Sequence, residues 1–227
     1  MIRIMCNISC ILFGSINLKK EEIEGKRVIE VGSLDVNGSL RPLIESYIPK
    51  EYVGVDIAKG LGVDRICKVE NLVEEMGQNF FDVVISTELL EHVRDWKKAV
   101  SSIKTVCKEG GGIILITTRS IGFSYHAYPY DFWRFEVGDM KNIFKDCEIL
   151  VLEKDPSAPG VFIKVKKPEN FNEIDLSDYA LYSVILNKRT KSVEEKDFRK
   201  FNSKYIGFKY KLKNFVIAAG RYLVDKL

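Results

Sequence analysis

Between residues 27 and 165, short apolar runs alternate with helix-patterned stretches, and this alternation narrows the possible folds more than any other feature. RVIEV (27–31), EYVGVD (51–56), FFDVVIS (80–86) and IILITT (113–118) read as strands, with a shorter one over 65–69. Residues 39–47 suit a helix if Pro42 sits in its first turn, and 96–107 carry a second helical pattern. Residues 148–153 and 161–165 look like a closing antiparallel pair, joined by a loop holding Pro156 and Pro159. Strands that alternate with helices imply parallel β-α-β units and a sheet covered on both faces. Ligands bind such sheets beyond the carboxyl ends of the strands, near the reversal of strand order.

Composition narrows the function classes. With 35 Lys plus Arg against 32 Asp plus Glu, the net charge is only +3, too small for a chain coated in base for nucleic acid. No apolar run reaches the roughly 18 residues of a transmembrane helix. The stretch 4–13 is partly apolar, but Asn7 and Ser9 interrupt it and no small-x-small cleavage site follows. A short element packed on the domain edge is the expectation there. The five cysteines are irregularly spaced, and Cys6 and Cys10 have no second pair to complete a zinc site, so buried reduced thiols in a cytoplasmic chain are expected.

The loop after the first strand is Gly32-Ser33-Leu34-Asp35-Val36-Asn37-Gly38, and the second strand ends in Asp56. Glycines there let a ligand approach the backbone, and an acid ending the second strand can accept bonds from ribose hydroxyls. A dinucleotide or S-adenosylmethionine fits this layout, as does a tight turn with no ligand. The dinucleotide fingerprint lacks its middle glycine, and Asp35 would repel a pyrophosphate but not a sulfonium.

VIEVGSLDVNGSLRPLIE, YVGVDI, FDVVISTELLEHVRDW and GGGIILITT, in this order, resemble the successive motifs of class I S-adenosylmethionine-dependent methyltransferases. The resemblance spans about residues 25–165. It implies an α/β, Rossmann-like doubly wound sheet of seven strands, mostly parallel, with an antiparallel last hairpin. It also implies that Glu30, Gly32 and Ser33 hold the methionine end of S-adenosylmethionine, with Asn37 and Gly38 completing the loop. Asp56 would hold the ribose and Ile57 flank the adenine. Val69 and Glu70 lie in a stretch similar to one whose backbone meets adenine, although Lys68 stands where an aspartate is usual. Thr87 and Glu88, past the fourth strand, would border the cofactor.

Two strings offer chemistry beyond the cofactor. Glu88, Glu91 and His92 share a face if they lie on a helix. The string E-x-x-E-H resembles the metal-binding motif of small-RNA 2′-O-methyltransferases and ubiquinone-pathway O-methyltransferases. The expectation is nevertheless a metal-free site, with a divalent metal as the alternative. After the fifth strand comes His126-Ala127-Tyr128-Pro129-Tyr130-Asp131-Phe132-Trp133-Arg134-Phe135, which looks like a string in a subset of these methyltransferases near sugar or glycan pathways. Here His126 is the expected general base, Asp131 and Arg134 shape the pocket, and Tyr128 and Trp133 wall a ring. The plainer alternative keeps Trp133 and Phe135 in the core and pairs Asp131 with Arg134.

The expected boundaries are a methyltransferase domain over 1–165 and a basic, partly helical extension over 166–227. Phe208, Leu212, Phe215, Ala219 and Leu223 recur at helical spacing, which favours a helix docked on the domain over one lying on a membrane or meeting RNA. The expected activity is methyl transfer to oxygen or nitrogen of a small molecule or glycan. The alternatives are a metal-assisted RNA 2′-O-methyltransferase and a non-catalytic binding protein on the same fold.

Overall fold

The computed structural model of the chain describes residues 8–36, 38–126 and 130–205. Asn37, Tyr128, Cys6 and the apolar positions from Phe208 to Leu223 lie outside the described residues.

Strands β1 (Arg27–Val31), β2 (Glu51–Asp56), β3 (Arg65–Ile66), β4 (Val83–Thr87), β5 (Ile113–Arg119), β7 (Glu148–Lys154) and β8 (Gly160–Lys166) form one sheet in the order β3-β2-β1-β4-β5-β8-β7. The first five are parallel. Strand β8 runs antiparallel to both β5 and β7. This is the Rossmann-like sheet with a reversed last hairpin that the motif order implies. Strand order reverses beside β1, which pairs with β2 on one side and β4 on the other. That places the ligand-binding crevice at the carboxyl ends of these three strands.

Alternating strand residues feed two cores, because successive side chains point to opposite faces. Ile29, Val84 and Ile114 pack against helices α4 (Leu72–Met76), α5 (Trp96–Val106) and α6 (Val137–Ile143). Val28, Val83 and Leu115 pack against α1 (Ile8–Asn17), α2 (Lys20–Ile23) and α3 (Arg41–Ser46). From Ile8 on, the apolar N-terminal stretch is therefore a helix on the domain face, with Phe13 and Phe162 rings 5.0 Å apart. Pro42 stands in the first turn of α3, where its missing N–H costs nothing. The four described cysteines, Cys10, Cys67, Cys107 and Cys147, are buried thiols outside any disulfide among the described residues. Among the described residues, no helix is long and apolar enough to cross a membrane.

A second sheet has no counterpart in the sequence reading. Strands β6 (Trp133–Arg134), β9 (Leu181–Ser183) and β10 (Lys188–Thr190) pair in the order β10-β9-β6. Two or three residues are too few to show a period, so such strands leave no trace in hydropathy. Leu181, Ile185, Val193 and Phe198 are buried in the same core as α5.

Trp133 is fully buried, and its indole N–H donates to the carbonyls of Val93 (3.0 Å) and Arg94 (3.1 Å). It joins the small sheet to the segment after β4. Trp133→Ala is expected to cost about 3–5 kcal/mol, read as a lower urea midpoint; a cost below about 1 kcal/mol would show that the indole holds nothing together.

Candidate active site

A cleft of about 800 Å³ opens at the carboxyl ends of β1, β2 and β4. Gly32, Ser33 and Gly38 from the first loop line it, as do Asp56 and Ile57 from the end of β2. Val69 and Glu70 line it from a 3-10 turn (Val69–Asn71), and Thr87 and Glu88 from the end of β4. With Glu30, every described residue expected to hold the cofactor faces this one space.

The first loop is held by its own backbone. The Gly32 and Ser33 N–H groups both donate to the Val55 carbonyl, at 2.8 and 3.0 Å. Gly32 has φ +82, and a Cβ there would come within 3.1 Å of Leu89. Only glycine meets both demands without strain. Asp35 does not face the cleft as a repelling charge; its carboxylate accepts the Gly38 N–H at 2.8 Å and closes the loop. Asp56 accepts from the Leu34 (3.3 Å) and Ala58 (3.0 Å) N–H groups, which fixes its carboxylate at the cleft edge.

Glu30 is buried, and burial raises its pKa to about 7, although the Tyr52 hydroxyl that donates to it and nearby Arg41 oppose the rise. Arg41 lies over the Tyr52 ring at 4.6 Å and pairs with Glu45 and Asp64. Sequence reasoning missed Tyr52 and Arg41. Register gives a signal for Tyr52: Glu30 pairs with Gly54, so Tyr52, two residues earlier, shares its face.

After β4 the chain departs from expectation. Glu88, Glu91 and His92 do not share a helix face. Glu88 adopts φ +56, Leu90–His92 form a 3-10 turn, and α5 starts only at Trp96, where Asp95 caps it by accepting the Lys98 N–H. Glu88 turns down to accept from the Cys10 thiol (3.4 Å) and to form an ion pair with the Arg119 guanidinium, which also pairs with Asp155 at 2.9 Å. Burial and neighbouring Glu91 push the Glu88 carboxyl up, to about 8, against the pull of Arg119. Glu91, with no exposed surface, turns instead to β5 and accepts from the Thr118 hydroxyl at 2.9 Å. His92 lines the cleft.

The string after β5 divides between anchoring and lining. Asp131 and Arg134 are buried away from the cleft. The Arg134 guanidinium donates to both Asp131 oxygens and to the Phe123 and Ser124 carbonyls (each 3.2 Å), so it staples the loop. Burial alone would raise the Asp131 pKa, but Arg134 and His126 hold it well below the usual carboxylate range. His126 Nδ1 lies 2.8 Å from Asp131 Oδ2. The His126 ring does not line the cleft; its centroid is 4.8 Å from that of His92, which does. Trp133 does not wall the cleft either, because its indole is committed to the core. Tyr130 and Phe132 line that end, with Phe198 5.3 and 5.4 Å behind them. Arg94, also missed, lines the cleft and lies over Phe132 at 5.4 Å.

The fold and this site can be set beside known proteins. A crystallised S-adenosylmethionine-dependent methyltransferase from Mesorhizobium loti superposes with a TM-score of 0.50 at 14% identity, covering 64% of this chain and 93% of that one. One from Aquifex aeolicus gives 0.51 at 14% identity, over 72% and 92%. The phosphoethanolamine N-methyltransferase 2 of Haemonchus contortus, solved with S-adenosyl-L-methionine, gives 0.52 at 16% identity, over 71% and 52%. Among curated proteins, the human mitochondrial ubiquinone biosynthesis O-methyltransferase is 34% identical over 61 residues. That match spans 27% of this chain and only 16% of the human protein. Residues 14–143, more than half of the chain, match the model of a methyltransferase domain, and the chain belongs to that family.

Proposed function

We propose that the chain transfers a methyl group from S-adenosylmethionine to oxygen or nitrogen of a small molecule or glycan. The observation that carries this reading is the cleft at the strand-order reversal, where a glycine turn, Asp56 and three further carboxylates converge. A donor with a sulfonium and an amino group suits walls lined by Glu30, Glu70 and Glu88 better than a pyrophosphate does. Gly32 and Ser33 would receive the methionine end, with Gly38 and Asn37 completing the loop. Asp56 would take the ribose hydroxyls, and Ile57, Val69 and Glu70 would border the base. The bound donor supplies the methyl group for an in-line displacement.

The acceptor belongs at the other end, against Tyr130, Phe132 and His92. A hydroxyl attacking a methyl group must lose its proton, and imidazole suits that task at neutral pH. We assign this task to the pair of rings, His92 at the cleft and His126 behind it. Asp131 orients His126, and Arg134 positions Asp131. The partial likeness to an O-methyltransferase supports oxygen as the atom methylated.

Calorimetric titration with S-adenosylhomocysteine beside NADH tests the cofactor. Binding of the former alone is expected, with Asp56→Ala weaker by about tenfold or more; binding of NADH alone, or of neither, overturns the reading. The Glu30 carboxyl, raised to about 7, adds a pH signature. Its anionic form attracts the cationic amino group, so affinity should tighten about tenfold from pH 6 to pH 8 in wild type and lose most of that dependence in Glu30→Gln, with the part left above pH 7 belonging to Glu88. On the acceptor side, His126→Ala should lower kcat by about 10²–10⁴-fold while leaving S-adenosylhomocysteine affinity unchanged. A near-wild-type rate would remove His126 from the chemistry.

A further inference from the structure

We propose that Glu91, His92 and His126 bind a divalent transition-metal ion at the acceptor end of the cleft. Each offers one donor atom, and the three atoms lie within 4.8 Å of one another. They come from two segments far apart in sequence, the 3-10 turn after β4 and the loop after β5.

Glu91 gives the first reason to expect a cation. It has no exposed surface, and Thr118 satisfies only its Oε2. Its Oε1 is buried without a hydrogen-bond partner among the described residues. A buried carboxylate oxygen left empty is costly, and a cation beside it removes that cost.

The two imidazoles give the second. The His92 Nδ1 is bonded to the Tyr130 carbonyl. The His126 Nδ1 is 2.8 Å from Asp131 Oδ2, and Arg134 keeps that carboxylate in place. The His92 Nδ1–H is thereby given to an oxygen, and its Nε2 keeps its lone pair for a ligand. The His126 ring lies against Asp131 with neither ring nitrogen hydrogen-bonded among the described residues, which leaves a buried lone pair there for a ligand. A backbone carbonyl and a carboxylate behind the ring are the supports that metal-binding histidines use to fix tautomer and orientation.

Two nitrogens and one carboxylate select the kind of ion. Imidazole suits zinc, iron, cobalt and nickel, whereas magnesium and calcium favour all-oxygen sites. Glu88 stands outside the set, turned instead to the Cys10 thiol and to an ion pair with Arg119. His92 borders the cleft, so the ion would sit where an acceptor hydroxyl arrives. With the ring lone pairs on the ion, the two imidazoles would no longer serve as bases; the ion would instead lower the pKa of the arriving hydroxyl, and this consequence, unlike the binding itself, rests on the methyl-transfer reading.

The test needs no acceptor. The full chain is stripped with chelator and titrated with Zn²⁺ by calorimetry, and with Co²⁺ by visible absorption. One equivalent of Zn²⁺ should bind, and Co²⁺ should give ligand-field bands. His92→Ala and His126→Ala should each weaken Zn²⁺ by at least about a hundredfold. Asp131→Asn, which touches no ion, should weaken it by about ten- to a hundredfold. Far-ultraviolet circular dichroism and S-adenosylhomocysteine affinity, measured on the same samples, report whether each variant is folded. If wild type takes up no stoichiometric ion, or if the folded histidine variants bind as tightly as wild type, the proposal is overturned. Zn²⁺ binding without S-adenosylhomocysteine binding would keep the metal site and overturn the methyl-transfer reading instead.

Discussion

Burying a carboxylate is costly unless something charged or hydrogen-bonding meets it, and this protein buries carboxylates both in the cleft wall and in the loops behind it. Each is met differently. Glu88 and Asp155 share Arg119 between them. Asp131 takes Arg134 on one side and His126 on the other. Glu30 takes a tyrosine hydroxyl, with Arg41 nearby, and stays near its neutral form until about pH 7. Glu91 meets a threonine on one oxygen and, among the described residues, no hydrogen-bond partner on the other. The fully paired acids fix the loops in place. The incompletely met ones lie where a positively charged ligand would complete them.

The large sheet was legible because its signal is repeated. The strands β1, β2, β4 and β5 are apolar runs largely buried on both faces, and each run is bounded by a turn or a helical pattern, so RVIEV, EYVGVD and IILITT mark β1, β2 and β5 to within a residue. That the residues expected to hold the cofactor would line one cleft was legible for a related reason. Gly32, Asp56 and Thr87 stand at strand ends, and a parallel sheet brings strand ends together whatever the rest of the chain does. Tyr52 needed the register as well, which only the paired strands supply.

The acceptor side was harder because its residues are placed by packing rather than by period. E-x-x-E-H fits a helical spacing, yet a left-handed Glu88 and a 3-10 turn send its two acids to different partners. Local spacing cannot foresee that Arg119, on another strand, captures Glu88. Trp133 looked like a pocket wall from its chemistry, but two carbonyls after β4 were waiting for its indole N–H. The dense string His126–Phe135 therefore splits, with Asp131, Trp133 and Arg134 holding the loop and Tyr130 and Phe132 facing the cleft.

The residues behind that wall come from further along the chain. Phe198 backs Tyr130 and Phe132, Glu195 pairs with Arg94 at 2.6 Å, and Phe201 packs on Tyr125 at 4.9 Å. All three belong to the helical stretch 195–205, beyond the 14–143 span that matches the family. The whole cleft lining falls within the 14–143 span, whereas the end proposed for the acceptor, at Tyr130 and Phe132, is backed by a segment outside it. A change at Phe198 or Glu195 alters the wall an acceptor meets without touching Asp56 or Gly32. It follows that the family motifs carry information about the donor, and that the acceptor must be read from the side chains that the later segment presses against the cleft.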